Sequence, residues 1–111
     1  MKDDWHIFWL DLAKKASTRS KDPNTQVGAV IVTQDNRQCS IGYNGFPKGV
    51  VENNTKWSRP LKYSYVIHAE ENAIINAPFD TVGSSLYCTL QPCHKCIGKL
   101  INAGIFNIYF S

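Results

Sequence analysis

The sequence predicts an α/β fold, a three-layer α/β/α sandwich with a mixed sheet. Short apolar segments typical of buried strands alternate with segments whose apolar residues recur at helical spacing. The first two strand-like segments are close enough in the chain to form a hairpin. The later strands are separated by helical segments, which implies parallel crossovers and places helices on both faces of the sheet.

The predicted order of elements is αββαβαβ. In residues 5–16 the apolar side chains recur at helical spacing, which indicates an amphipathic first helix preceded by an aspartate cap. Residues 27–32 and 39–43 are the two strands of the predicted hairpin. The later elements are a helix over 68–77, a strand over 84–90, a helix over 94–104 and a strand over 105–110.

Length and composition indicate one domain over residues 1–111 and exclude a membrane protein. The chain has no apolar stretch of about 18 residues, and its first residues lack the pattern of a signal peptide, so a cytoplasmic location is expected. The net charge of +3 comes from scattered lysines and arginines, which fits a small anionic ligand as well as a polynucleotide. In a reducing compartment, the four cysteines are metal ligands, catalytic thiols or core residues before they are disulfides.

One histidine and two cysteines have the spacing of metal ligands. Cys93 and Cys96 form a C-x-x-C pair at the start of a predicted helix, and His68 begins another helix. Three ligands of this kind leave the fourth position of a tetrahedral zinc site open, as in catalytic rather than structural sites. The partial positive charge at each helix start favours thiolate over thiol, so we expect both cysteines to bind Zn²⁺ as anions.

Glu70 is the predicted catalytic residue. It follows His68 by two residues, and in mid-helix two such side chains point about 200° apart. In the first turn the metal can lie beyond the end of the helix, where Glu70 can reach a water molecule without ligating zinc. A carboxylate in that position is suited to general acid–base catalysis. Glu71 points elsewhere and is expected at the surface or as a cap.

The combination of H-x-E with P-C-x-x-C is the signature of zinc nucleobase deaminases, and it occurs here as "HAE" and "PCHKC". The chain further resembles the deoxycytidylate (dCMP) deaminase family, nearly in register from Ala16 to Phe110. The segments that carry this resemblance are "RSKDPNTQVGAVIV", "IGYNGFPKGV", "KYSYVIHAEENAI" and "TLQPCHKC".

The resemblance implies a cytidine deaminase-like sandwich that uses Zn²⁺ to deaminate dCMP hydrolytically to dUMP and ammonia. It also implies that Glu70 protonates ring nitrogen 3 of cytosine and then the departing amine. The implied substrate contacts are Asn44 for the sugar hydroxyl, Ala69 for the pyrimidine edge, Val27 and Ala29 for a wall of the base pocket, and Arg19, Ser20 and Lys21 for the 5′-phosphate.

Members of the family usually continue past the fourth strand, so the sequence predicts a shortened domain that lacks the C-terminal strand and helix. An unpaired strand edge invites association, and we expect a homo-oligomer, which in this family is typically a hexamer. The family also implies dCTP and dTTP as effectors, and the loop at 42–49 is their expected site. No nucleic acid partner is expected, because the chain has no basic run.

Several of these residues have simpler interpretations. Asn44 precedes a glycine, and Asn-Gly is a common turn pair. His94 lies between the two cysteines and can compete as a ligand, although we expect it to face solvent or substrate. Cys39 and Cys88 are expected to be small buried thiols in strands.

The function also has alternatives at this point. A C-x-x-C pair alone is more often a redox pair or half of a structural zinc site. The same zinc chemistry serves deaminases of dCTP, cytosine or tRNA adenosine. An inactive zinc-binding module is the alternative from another class.

Overall fold

The computed structural model describes residues 4–46 and 67–110, except for the side chain of His94. The order αββαβαβ is confirmed. The elements are α1 (Trp5–Ser17), β1 (Gly28–Val32), β2 (Cys39–Tyr43), α2 (Ala69–Asn76), β3 (Ser85–Cys88), α3 (His94–Asn102) and β4 (Asn107–Phe110).

The four strands form one mixed sheet in the order β2-β1-β3-β4. The predicted hairpin is confirmed, since β1 and β2 pair antiparallel. Because β1 is also antiparallel to β3, β2 and β3 run in the same direction, and β3 pairs parallel with β4. Helices α2 and α3 are therefore crossovers between parallel strands. The carboxyl ends of β2 and β3 lie at the same edge of the sheet, where these helices begin.

Helices cover both faces of the sheet, which confirms the three-layer sandwich. All five residues of β1 are buried, and they alternate between the two faces as a strand period of two requires. On one face, Trp9 and Ala13 of α1 pack with Val30 and Val32. On the other face lie residues from β1, α2, β3 and α3, namely Ala29, Ile31, Ala69, Ala73, Leu86, Cys88 and Leu100.

The first turn of α1 differs from the periodic prediction. Asp4 caps the helix by accepting a hydrogen bond from the His6 amide, as expected for an aspartate at this position. However, Trp5 and Phe8 are about half exposed, and their rings pack on Trp9 at centroid distances of 5.5 and 4.8 Å. The apolar stripe of α1 therefore meets the sheet only from Trp9 onward.

A glycine lets α2 approach the sheet closely. A Cβ atom on Gly42 would lie 2.2 Å from the carbonyl oxygen of Ala69 and 2.4 Å from the amide nitrogen of Ala73. Both atoms belong to the helix backbone and cannot move aside without moving α2. The small side chains of Ala69 and Ala73 complete this contact and are fully buried.

Within the described part of the chain, no helix combines the length and apolarity required to cross a lipid bilayer.

We predict that Gly42→Ala destabilises the fold, because the added methyl group overlaps backbone atoms of α2. Overpacking of this kind costs about 1–3 kcal/mol, and the melting temperature in a thermal unfolding scan should fall accordingly. Gly98→Ala is the matched control, since a Cβ atom there meets nothing within 4 Å. Equal melting temperatures for the two variants would contradict the close approach of α2.

Candidate metal centre and active site

Three side chains with metal-ligating atoms meet where α2 and α3 begin. His68 is the N-cap residue of α2, and Cys93 is the N-cap residue of α3. Both have extended backbone conformations, and neither side chain makes a capping hydrogen bond, so both are directed elsewhere. Cys96 follows in the first turn of α3. In the described part of the chain, the ligand atoms of these three residues all lie within 4.8 Å of one another.

The distances between these atoms fit a tetrahedral zinc ion. Zn–S bonds of about 2.3 Å and Zn–N bonds of about 2.0 Å place the ligand atoms about 3.5–3.8 Å apart. Here His68 Nδ1 lies 3.0 Å from Cys96 Sγ and 3.7 Å from Cys93 Sγ, and the two sulfurs are 3.4 Å apart. The cysteines are free thiols, as a disulfide needs a sulfur separation of about 2.05 Å.

Binding of a cation changes the protonation of the donor set. Burial raises the pKa of the Cys96 thiol, and hydrogen bonds with Glu70 and Cys93 raise it further. Burial and the nearby acid act against the helix start, which on its own lowers the pKa of a thiol. Cys96 therefore keeps its proton until a cation takes its place, and two thiolates with a neutral imidazole then balance a dication.

Glu70 lies beside Cys96, the buried member of the three ligands. Only 5% of its surface is exposed, and its Oε1 accepts a hydrogen bond from the Cys88 thiol at 3.3 Å. Burial, followed by the charge of Glu70, raises the pKa of Cys88 to about 12, so Cys88 remains a thiol at neutral pH. Because Cys96 is also adjacent to Glu70, the carboxylate lies between a core thiol and a metal ligand.

Glu71 points away from this cluster, as predicted. Its Oε2 lies 2.7 Å from Nζ of Lys99 in α3, in an ion pair at the surface. An exposed pair of this kind contributes little stability. It does join the helix that carries His68 to the helix that carries both cysteines.

Asn44 lies at the same edge of the sheet, but its side chain is already engaged within the protein. Its Nδ2 donates to Asp22 Oδ2 at 3.3 Å and to the Thr25 carbonyl oxygen at 2.9 Å. Its Oδ1 accepts from the Val27 amide at 2.9 Å, and its backbone oxygen accepts from the Ser20 hydroxyl. Both amide protons are therefore used, and among the described residues Oδ1 accepts the Val27 bond alone, which leaves one lone pair.

The other predicted substrate contacts fall into buried and exposed groups. Ala29 and Ala69 are fully buried in the core, and Val27 is half-buried and packs against it. Ser20 is buried as well, whereas Arg19 and Lys21 on either side of it are exposed. The substrate roles of all six residues stay predictions.

The side chain of His94 and residues 47–49 of the expected effector loop lie outside the described residues.

Sequence reasoning missed two residues of this region. Asp22 is a buried carboxylate whose Oδ1 accepts from the amides of Asn24 and Thr25, and the turn-forming "DPN" segment was a usable signal for it. Cys88 was expected only as a small buried thiol. Its contact with Glu70 joins positions 18 residues apart, and no local pattern indicates it.

A family model described as the cytidine and deoxycytidylate deaminase zinc-binding region matches residues 3–111. The chain belongs to this family. The resemblance carried by the four sequence segments is thereby confirmed, and zinc is the metal that the His68, Cys93 and Cys96 cluster is positioned to bind.

Individual relatives agree with this assignment. The chain is 48% identical over 110 residues to the probable deoxycytidylate deaminase of Caenorhabditis elegans, with 95% of this chain and 56% of that protein covered. It is 42% identical over 114 residues to the deoxycytidylate deaminase of Homo sapiens, with 96% and 64% covered. The chain thus spans less than two thirds of either relative.

A solved structure of a related enzyme has the same fold. The dCMP deaminase from the cyanophage S-TIM5, in complex with dCMP and dUMP, superposes with a TM-score of 0.82 at 28% identity. The superposition covers 99% of this chain and 82% of that one.

We predict that the purified protein contains about one zinc ion per chain. Cys96→Ala should lose most of this metal, because removing one of three ligands leaves too few donors for tight binding. Elemental analysis after gel filtration measures the ratio. Cys39→Ala removes a half-buried thiol outside the cluster and should retain the metal. A metal-free wild-type protein, or full zinc content in Cys96→Ala, would contradict the assignment.

Proposed function

We propose that this chain is a zinc-dependent dCMP deaminase, which converts dCMP and water to dUMP and ammonia. The observation that carries the proposal is the position of the buried Glu70 carboxylate directly beside the His68, Cys93 and Cys96 cluster. Membership of the deaminase family, and the dCMP and dUMP bound to the S-TIM5 enzyme, support this substrate.

The chemistry proposed for the site divides between the metal and the carboxylate. His68, Cys93 and Cys96 hold the zinc ion. When bound, zinc lowers the pKa of a water molecule toward ~7 and so supplies a nucleophile at neutral pH. Glu70 accepts the proton from this water and delivers it to ring nitrogen 3. A bond forms from the water oxygen to ring carbon 4. Glu70 then takes the second proton of that oxygen and delivers it to the amino group, the bond from ring carbon 4 to this nitrogen breaks, and ammonia leaves with a carbonyl at carbon 4.

The remaining contacts position the nucleotide. The backbone at Ala69 meets the pyrimidine edge, and Val27 and Ala29 back the base pocket. Asn44 accepts a hydrogen bond from the sugar hydroxyl through its remaining lone pair, since both of its amide protons are engaged. Arg19 and Lys21 are exposed and attract the 5′-phosphate, while Ser20 anchors the loop between them through its bond to Asn44.

We predict that Glu70→Gln retains zinc but loses activity, because the side chain carries protons and is not a ligand. Loss of a general acid–base group lowers kcat by about 10²–10⁴-fold. Ammonia release from dCMP measures kcat, and elemental analysis measures zinc. Glu71→Gln is the matched control, since it changes the neighbouring carboxylate in the surface ion pair and should have little effect on kcat.

The same assay tests the substrate. Incubation with dCMP, dCTP, cytidine, cytosine and an RNA stem-loop should show fastest turnover of dCMP. Turnover of another compound only would replace dCMP with that substrate. Zinc binding without turnover of any cytosine compound would favour the inactive zinc-binding module, and loss of zinc in Glu70→Gln would refute the proton-carrying role.

We also propose that the chain acts as a cytoplasmic homo-oligomer, a hexamer as in its family, with dCTP and dTTP as effectors. Large apolar side chains are more than half exposed on α1, α2 and α3 and before β4, and such surfaces are common at subunit contacts. All four cysteines are free, which fits a reducing compartment. These residues are Trp5, Ile7, Ile75, Ile101 and Phe106.

We predict that light scattering coupled to gel filtration gives six times the mass of the chain. Because association buries the exposed apolar side chains, the hexamer should persist on moderate dilution and dissociate only at low protein concentration. Ile75→Lys, at a position 67% exposed on α2, should reduce the mass. A monomer at every concentration would contradict the proposal.

A further inference from the structure

We infer that Cys88 is a positioning residue for the Glu70 carboxylate: its thiol holds Oε1 and thereby sets the direction in which the carboxylate meets the substrate. This inference rests on the proposed function, since Cys88 acts only through Glu70, which carries the protons in that function.

The contact joins two rigid elements. Cys88 is the last residue of β3, its side chain is fully buried, and its neighbours in the sheet are Ala29 of β1 and Phe110 of β4. Glu70 is in the first turn of α2, with Cys88 Sγ 3.3 Å from its Oε1. Because Cys88 and the start of α2 belong to one buried core cluster, this hydrogen bond ties the carboxylate to the sheet.

The importance of this donor increases when the metal binds. Without a cation, the Cys96 thiol also interacts with Glu70. A zinc ligand binds as thiolate, so Cys96 then has no proton to donate. Cys88 is not a ligand in the cluster, and its contact with the carboxylate uses no metal-binding atom.

A thiol is chemically suited to this task. A buried carboxylate without a donor carries a large desolvation cost, so some donor is favourable here. A cationic donor would hold the carboxylate in its ionised form and oppose proton uptake. A thiol is a weak, neutral donor, and it can orient Glu70 while leaving the carboxylate able to accept and release protons.

The first test separates orientation from packing by kinetics. Cys88→Ala removes the donor and should lower kcat for dCMP by about 3- to 10-fold, with KM changed less than about twofold. Cys88→Ser restores a donor of similar size and should recover at least half of the lost kcat. Rates are expressed per bound zinc, so that partial metal loading does not appear as a kinetic effect. Cys39→Ala, which removes the half-buried thiol of β2, is the control and should match wild type.

The second test needs no turnover. In zinc-loaded Cys39→Ala protein, Cys93 and Cys96 are thiolates, so the infrared S–H stretching band reports Cys88. Glu70→Gln in this background replaces a carboxylate acceptor with a weaker amide acceptor, and the band should move to higher wavenumber. This measurement also tests the contact between Cys88 and Glu70 if Cys88→Ala does not fold.

The outcomes are distinguishable from failure of the proposed function. Unchanged kcat in Cys88→Ala, or equal losses in the Ala and Ser variants, would overturn the inference while dCMP deamination stands. If wild-type protein turns over no cytosine compound, the proposed function fails. The infrared band then decides alone: an unshifted band overturns the contact with Glu70, and a shifted band supports it.

Discussion

The close approach of α2 to the edge strand β2 is the constraint on which the site depends. Gly42 allows the helix backbone to lie against the strand, and two side-chain amides then fix its position along the strand. Asn72 and Asn76 are four residues apart on one face of α2, and they donate at 2.8 and 3.1 Å to carbonyl oxygens two residues apart on β2. Because His68 caps this helix and Glu70 lies in its first turn, the same contacts determine where both side chains lie.

The second constraint is electrostatic. Cys96 is almost completely buried beside Glu70, so its thiolate form is disfavoured and the thiol persists without a cation. A divalent cation bound by His68, Cys93 and Cys96 offsets the charge of the Cys96 thiolate, and two sulfur ligands with one imidazole favour zinc over magnesium or calcium. Folding of the α2 and α3 starts and binding of the metal are therefore linked, as expected where ligands must lose protons to bind.

Local rules explain why much of this could be predicted from the sequence. The order of elements, the two faces of β1 and the three metal ligands follow from periodicity and from side-chain spacing at helix starts. The role of Asn44 in bracing the loop depends on Asp22, which is 22 residues away and recognisable only once the chain has folded. The exposure of Trp5 could not be predicted for a similar reason. Periodicity predicts an apolar face on α1 but not how far the sheet extends beneath that face.

One side of the metal cluster faces solvent, and the other side faces the protein interior. His68 and Cys93 are exposed while Glu70 is buried, so under the proposed function a nucleotide reaches the metal from solvent and meets the carboxylate on the inner side. The loop braced by Asn44 lies at this edge of the sheet, and its buried Ser20 anchors the backbone between two exposed cationic side chains. An anchored backbone loses little conformational freedom when these cations meet a phosphate. Under the proposed function, rigidity at this loop therefore favours a nucleotide over a free nucleoside, because it lowers the entropic cost of the phosphate contact that distinguishes them.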